Sequence, residues 1–220
     1  MKPIIDLMFY KNILAYCVQE TWIVGNVNTV VKNHMIFRHN REEREVGTRG
    51  RVPGGVTIIF SPTAVTACRA AGPKSPITTP LQSKFVGRLL GLKLQFPRFH
   101  QFYRRVRGKL KMLIASIYHP VDPKEQEKFN DTLSMLVNSV PKSLNFIGGY
   151  DVNANLGVSK TLYKGVIGPF GIENRNMKGR RLLSVLSQNI LRVTNSYFNK
   201  SSFVACLSLL IVGHCLEWLH

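Results

Sequence analysis

The stretch IGGYDVNANLG at 147–157 is the most informative part of the sequence, because an apolar strand ends there in a glycine-rich turn that carries polar side chains. Residues 144–147 predict a short strand, and a Gly-Gly pair opens the turn directly after it. Asp151 and Asn153 follow in that turn. In layered α/β folds the ends of strands converge on the functional site, so these two side chains are candidates for chemistry.

Two earlier strands end in a similar way. Residues 13–19 form an apolar run that stops at Glu20, and residues 111–118 form another that ends at Tyr118, before a His-Pro pair. A carboxylate at one strand end and an Asp-x-Asn pair at another suit a hard cation with oxygen ligands, and such a cation can clamp a phosphate. We therefore expect Glu20 and the Asp-x-Asn pair to converge in one cleft, with Tyr118 at its wall.

The order of the remaining elements predicts an α/β fold with a mixed sheet. Strands are predicted at 13–19, 56–60, 85–96, 111–118, 144–147 and 190–193, and helices at 122–140 and 176–189. Asp122 followed by Pro123 is typical of a helix start, as a capping side chain and a first-turn proline. Segments 22–53 and 70–84 are rich in Asn, Gly, Pro and charge, and are predicted to be loops.

The charge of the chain limits the classes of partner. Among its 220 residues, 30 Lys and Arg face 12 Asp and Glu, for a net charge of +18. Residues 46–121 contain no Asp or Glu at all. A typical neutral metabolic enzyme does not have this balance, whereas a protein with a polyanion-contacting face does. Composition alone leaves nucleic acid, an anionic membrane or an acidic protein as partner. The four cysteines are scattered and show neither metal-ligand spacing nor a disulfide framework.

Five motifs together make the chain recognisable. They are QETW at 19–22, GGVTIIFSP at 54–62, IASIYHP at 114–120, IGGYDVNANLG at 147–157 and GPFGIENRNMKGRRLLSVLSQN at 168–189. In this order they resemble the endonuclease/exonuclease/phosphatase superfamily, and look most like the endonuclease domain of LINE-type (non-LTR) retrotransposons. The resemblance implies a DNase-I-like layered α/β sandwich with mixed sheets, incomplete at the C-terminus. It also implies Mg²⁺-dependent hydrolysis of a phosphodiester, which in the retroelement branch nicks DNA.

The resemblance assigns a role to each matching residue. Glu20 falls on the family's metal-binding glutamate, and Tyr118 on the tyrosine that contacts the scissile phosphate. Asp151 falls on the aspartate that activates or orients the nucleophilic water, and Asn153 on the asparagine that holds the phosphate. Two more residues lie in the following loop, where family members carry polar groups near the substrate: Asn174 and Asn176.

Aromatic and basic residues alternate between 96 and 109, a pattern that suits stacking on single-stranded nucleic acid. The predicted DNA contacts of this segment are Arg98, Arg104, Arg105, Arg107 and Lys109. The same pattern fits a second function, a basic nucleic-acid-binding module without catalysis. It also fits a basic hairpin whose aromatic rings pack inward. Another branch of the superfamily, such as a lipid phosphatase or a repair nuclease, is a third alternative.

The chain departs from the family pattern at both ends. Only 19 residues precede Glu20, and Asn12 is too close to it to match the family's first-strand asparagine. The family's C-terminal Asp or Ser followed by His has no counterpart, since His214 follows Gly and His220 follows Leu. Loss of a general acid/base group typically lowers the rate by about 10²–10⁴-fold. The sequence therefore predicts low or absent activity, as in a truncated or frame-shifted copy of an element.

These departures set the expected organisation. We expect a partial superfamily domain at 1–198, and a divergent apolar tail at 199–220 that lacks the family's final strands. The apolar run at 203–213 is about half as long as a membrane span, so no membrane partner is expected. The first residues lack a clean signal-peptide core, which predicts a protein that is not secreted. The family role would place it in the nucleus.

Overall fold

The computed structural model describes the chain over the ranges 2–23, 25–40, 54–72, 85, 87–97, 109–158, 163–170, 174–198 and 209–213. The chain divides into two compact units, Met1–Tyr118 and His119–His220. Among the helices within the described ranges, none is long and apolar enough to cross a membrane.

The first unit is built around an antiparallel sheet. Its elements are α1 (Lys2–Tyr10), β1 (Ala15–Gln19), β2 (Thr29–Val31), β3 (His34–His39), β4 (Val56–Phe60), α2 (Pro62–Ala70), β5 (Leu89–Phe96) and β6 (Leu110–Tyr118). The strand order is β1-β4-β3-β2, and β5 pairs antiparallel with β6 from Leu89 opposite Ile117 to Phe96 opposite Leu110. Every residue of β4 is buried, as expected for a central strand that is apolar at every position except Thr57.

Three features of the first unit correct the prediction: helix α1, the hairpin of β2 and β3, and helix α2. Helix α1 was not expected; it buries Ile5 and Met8 against Ile36 and Ile59. Strands β2 and β3 lie inside the segment 22–53 that was predicted to be a loop. They form a hairpin because Lys32 and Asn33 both adopt positive φ, the backbone that a tight two-residue turn requires.

Helix α2 is the third element that sequence patterns missed. The hydroxyl of Ser61 caps it by accepting from the backbone N–H of Ala64, and Pro62 occupies its first turn. It ends at Ala70, so the predicted loop 70–84 begins there, and residues 73–84 lie outside the described part of the chain.

The second unit carries the helices that the sequence did predict. Its elements are α3 (Pro123–Ser139), β7 (Asn145–Asp151), α4 (Met177–Gln188), β8 (Leu191–Val193), a 3₁₀ helix (Thr194–Tyr197) and β9 (Leu209–Gly213). Asp122 caps α3 by accepting from the N–H of Lys124, and Asn176 caps α4 by accepting from that of Gly179. Both helix starts are confirmed.

Strand β9 differs from the expectation for the end of the chain. It lies between β7 and β8 and pairs antiparallel with both, with Val212 opposite Ile147 on one side and Arg192 on the other. The run Leu-Leu-Ile-Val is apolar and partly β-branched, which suits an interior strand better than an irregular tail. The segment 199–220 therefore does contribute a strand, although the domain boundary at 198 stays a prediction.

Candidate active site

Glu20 lies in a strained turn at the end of β1. Both Glu20 and Trp22 adopt φ of +52°, a left-handed backbone that costs roughly 1–2 kcal/mol for a residue with a side chain. The N–H groups of Thr21 and Trp22 donate to the carbonyls of Gly55 and Gly54, both at 3.2 Å. These two bonds hold the turn on the segment that leads into β4.

The glycine pair opposite this turn leaves room for it. Gly54 and Gly55 have φ of +102° and +93°. A β-carbon on Gly55 would lie 2.6 Å from Asn40 Oδ1 and even closer to the hydroxyl of Thr21, so only glycine fits without displacement. The Gly-Gly pair that the sequence showed before the strand at 56–60 is therefore part of the wall behind Glu20.

Asn40, at the end of β3, connects three parts of this region and was not identified from the sequence. The residue is fully buried. Its Oδ1 accepts from the Thr21 hydroxyl at 3.0 Å, its Nδ2 donates to the carbonyl of Gly25 at 2.8 Å, and its backbone N–H donates to Asn26 Oδ1 at 2.7 Å. A buried amide satisfied in this way fixes the loop between β1 and β2.

Tyr118 and Glu20 are bonded to each other in the structure. The hydroxyl of Tyr118, the last residue of β6, donates to Glu20 Oε1 in a short hydrogen bond. Tyr118 is 5% exposed, and a β-carbon on Gly54 would lie 3.8 Å from its Cδ1.

Ser116, two residues before Tyr118 on β6, fixes the end of β1. Its hydroxyl accepts from Gln19 Nε2 at 3.1 Å and donates to the carbonyl of Val18 at 3.1 Å. Glu20 is therefore exposed, while hydrogen bonds fix the residues beside it and the tyrosine that holds its carboxylate.

A cation also contacts Tyr118. The guanidinium carbon of Arg88 lies 5.1 Å from the centre of the tyrosine ring, within the range of a cation–π interaction. In the sequence Arg88 counted only toward the positive charge of the acid-free segment. Nothing local marks it as a site residue, because the contact joins two strands.

In the second unit, Asp151 and Asn153 form a compact turn after β7. Asp151 Oδ1 accepts from the N–H of Asn153 at 3.2 Å, and Asn153 has a φ of +46°, which asparagine tolerates better than most residues. Asn153 Nδ2 donates to the carbonyl of His119 at 3.0 Å, and the His119 N–H donates to the carbonyl of Asp151 at 2.8 Å. The predicted Asp-x-Asn turn is present, and its two side chains are half-buried.

His119, which is bonded to this turn, is itself held in place by buried contacts. Its ring is 2% exposed, its Nε2 lies 3.0 Å from Asn130 Oδ1 on α3, and it packs edge to face on Phe129 and Tyr150. Burial raises the pKa of Tyr150 well above its usual value, and the nearby charge of Asp151 adds to the rise. Tyr150 therefore stays a neutral phenol at physiological pH.

The start of α4 packs against the same turn. A β-carbon on Gly179 would overlap the carbonyl oxygen of Asn155, and the N–H of Asn176 donates to that carbonyl at 3.2 Å. Arg175 donates to the carbonyls of Leu156 at 2.6 Å and Val158 at 3.0 Å. Asn176 is exposed but acts as the cap of α4.

The predicted DNA contacts are described only in part. Asn174 and Lys109 are exposed. Arg98, Arg104, Arg105 and Arg107 lie outside the described residues. The roles of all these residues in binding stay predictions.

The donor groups can be tested against the expected cation. Within the described ranges there is no group of three or more His, Cys, Asp or Glu side chains that could hold a metal ion. Mg²⁺ does not need such a cage, since it usually keeps several waters and takes one or two carboxylates from the protein. Glu20 fits this pattern, because its bond with Tyr118 engages Oε1 and leaves Oε2 for a cation.

Comparison with solved structures identifies the fold. The chain is similar to an AP endonuclease from Archaeoglobus fulgidus, with a TM-score of 0.51 and 12% identity over 95% of this chain and 79% of that one. It is similar to an endonuclease/exonuclease/phosphatase family protein from Leptotrichia buccalis, with a TM-score of 0.50 and 11% identity over 95% and 79%. The endonuclease domain of TRAS1, a telomere-specific non-LTR retrotransposon, gives a TM-score of 0.49 and 12% identity over 96% and 78%.

The fold is therefore the DNase-I-like α/β fold, as the sequence resemblance implied. Identities this low establish the fold alone. No protein-family model matches the chain. No curated protein matches it.

Proposed function

We propose that the chain is a Mg²⁺-dependent phosphodiesterase that nicks DNA, of the type found in LINE-type retroelements, with a low turnover. The observation that carries the proposal is the bond between the Tyr118 hydroxyl and the Glu20 carboxylate, on a turn whose strained backbone exposes that carboxylate. Strained backbone of this kind clusters at active sites, where the surrounding structure maintains it. This role would give the chain a substrate in the nucleus.

Each site residue has a task in this proposal. Glu20 would hold the cation, which when bound neutralises charge on the phosphate. Tyr118 keeps the carboxylate in place and contacts the phosphate at the wall of the site. The Asp151 carboxylate, with Oδ1 bonded to the turn, orients the attacking water. Asn153 is fixed through Nδ2, so its carbonyl group keeps one orientation toward the substrate.

The low turnover follows from the unmatched acid/base pair and from the burial of two histidines within the described ranges, His34 and His119. The family's general acid/base pair has no match in the sequence, and the ring of His119 is buried and bonded to Asn130. His34 is buried as well, with Nδ1 at 2.9 Å from the carbonyl of Lys32. Without a general acid, we expect a rate lower by about 10²–10⁴-fold than with one.

A supercoiled-plasmid nicking assay tests the proposal. We expect slow nicking that requires Mg²⁺, stops with EDTA and is abolished by Glu20→Ala and by Asp151→Ala. The matched controls are Glu127→Ala and Asp131→Asn, which change exposed acids on α3 and should leave the rate unchanged. Nicking that persists without a divalent cation, or in both site variants, would refute the assignment.

The charge of +18 favours a second function, nucleic-acid binding without catalysis. A backbone contact of this kind weakens steeply with salt, because binding releases counterions from the phosphates. Fluorescence anisotropy with labelled DNA between 50 and about 200 mM salt measures that slope. Salt-dependent binding that Glu20→Ala and Asp151→Ala leave unchanged, in a chain that does not nick, would establish this second function.

A further inference from the structure

Arg88 is a buried cation next to the candidate site. The residue is 8% exposed, and its guanidinium carbon lies 5.1 Å from the centre of the Tyr118 ring. The backbone N–H of Tyr118 donates to the carbonyl of Arg88 at 2.8 Å, which continues the β5–β6 pairing by one step. The two residues are therefore cross-strand neighbours at the end of the ladder that faces Glu20.

Burying a guanidinium requires compensation, because the charge loses its hydration. The face of an aromatic ring supplies part of it, and the attraction grows when the pair is shielded from water. The cation in turn draws electron density from the ring, which makes the phenol O–H a stronger donor. That O–H is bonded to the Glu20 carboxylate, so a chain of contacts runs from Arg88 through Tyr118 to Glu20.

An arginine near a phosphate site can either bind the DNA backbone or position another side chain, and the burial of Arg88 distinguishes between these two roles. A residue that binds the DNA backbone must present its guanidinium to solvent. With 8% of its surface exposed, Arg88 presents little of itself to a substrate, whereas its contact with Tyr118 is already made.

We propose that Arg88 is a positioning residue, which holds the Tyr118 ring and strengthens its hydroxyl as a donor so that the Glu20 carboxylate keeps one orientation. This inference rests on the proposed function only in its consequence for turnover. The contact itself can be tested without cation, substrate or activity.

The first arm of the test is NMR of the chain labelled with ¹³C at tyrosine Cζ, with the Tyr118 signal identified by Tyr118→Phe. We expect Arg88→Met to shift this signal and Arg88→Lys to shift it less, since lysine keeps the charge and loses the planar group. The matched control is Arg69→Met, an exposed arginine in the last turn of α2, which should leave the signal in place. An unmoved Tyr118 signal in either folded Arg88 variant overturns the proposal, so Arg88→Lys decides if Arg88→Met does not fold.

The second arm is a double-mutant cycle on the single-turnover nicking rate. We expect Arg88→Met to slow nicking by about 3- to 30-fold at an unchanged KM, which is the range of a cation–π contact. In the Tyr118→Phe background the same change should have no further effect. Additive losses, or a raised KM with a weaker dependence on salt, would show that Arg88 acts on DNA directly and overturn the proposal. A wild-type chain that does not nick refutes the proposed function instead, and the Tyr118 signal then decides the role of Arg88 alone.

Discussion

The turn after β1 and the turn after β7 both present a carboxylate at a strand end, yet they are held by different contacts. The first turn depends on residues far away in the chain, since Thr21 bonds to Gly55 and Asn40, and Glu20 bonds to Tyr118. The second turn is also bonded to the distant His119, but it has a bond within itself as well, from Asn153 N–H to Asp151 Oδ1, two residues apart.

The backbone conformations of the two turns differ as well. In the first turn Glu20 and Trp22 adopt positive φ, which is strained for these residue types. In the second turn the residue at positive φ is Asn153, and asparagine tolerates this conformation better. Local turn chemistry contributes to the second conformation, together with the bonds to His119. The first conformation persists only because Gly55, Asn40 and Tyr118 together determine it.

The largest expected effect concerns the close contact between the second turn and α4. Gly179→Ala should lower the free energy of unfolding by about 2–3 kcal/mol, because the new β-carbon overlaps the carbonyl of Asn155. The helix preference of alanine, about 1 kcal/mol, works in the opposite direction. Urea unfolding measures the change, with Ser184→Ala on the exposed face of α4 as the control. A stabilised Gly179→Ala chain would show that the turn does not depend on α4.

The next effect concerns the support of the first turn. Gly55→Ala should lower the stability by about 2 kcal/mol more than Gly72→Ala, through its clash with Thr21 and Asn40. Gly72 is a close match, because its φ is +91° and nothing lies within 4 Å of its added β-carbon. The pair thus separates crowding from backbone strain. Equal losses of unfolding free energy in the two variants would contradict the role of Gly55.

Amide substitutions compare how much each of the two carboxylates contributes to stability. Asp151→Asn keeps an oxygen that accepts from Asn153, so it should change the stability by less than about 0.5 kcal/mol. Glu20→Gln weakens a charge-assisted bond with Tyr118 and should cost about 1 kcal/mol, a value reduced by the exposure of Glu20. Thermal unfolding of both variants side by side gives the comparison. A larger loss for Asp151→Asn would reverse it.

The smallest effect lies beneath the second turn. The hydroxyl of Tyr150 is buried and has no hydrogen-bond partner among the described residues. Tyr150→Phe removes that polar group from the core and should raise the stability by up to about 1 kcal/mol. Calorimetry would detect the rise in Tm, and a fall would show that the hydroxyl is satisfied.

The same contrast explains what the sequence could predict. Asp122, Asn176 and the Asp-x-Asn pair act through bonds to residues two or three positions away, so their patterns are visible locally. The resemblance supplied the fold and named Glu20 and Tyr118 as site residues, but not the bond between them. Helix α1 begins without a Ser, Thr, Asp or Asn cap in its sequence, and the hairpin of β2 and β3 turns at Lys-Asn, so neither carries the usual signal.

Two contributors to the first site, Asn40 and Arg88, had no local signal. Asn40 is 19 residues from Thr21, and Arg88 meets Tyr118 only because β5 and β6 pair. Contacts of this kind depend on the register of strands, which a single sequence specifies only through the whole fold.

We propose that the carboxylate held by Tyr118 binds the catalytic cation. A Mn²⁺ titration of the ¹³C-tyrosine-labelled chain tests this binding. Because Mn²⁺ is paramagnetic and Tyr118 is bonded to Glu20, we expect the Tyr118 signal to broaden, and excess Mg²⁺ to reverse the broadening. Glu20→Gln should lose this effect while Glu127→Gln keeps it. A Tyr118 signal that stays sharp in the wild-type chain, or that broadens equally in Glu20→Gln, would contradict the account.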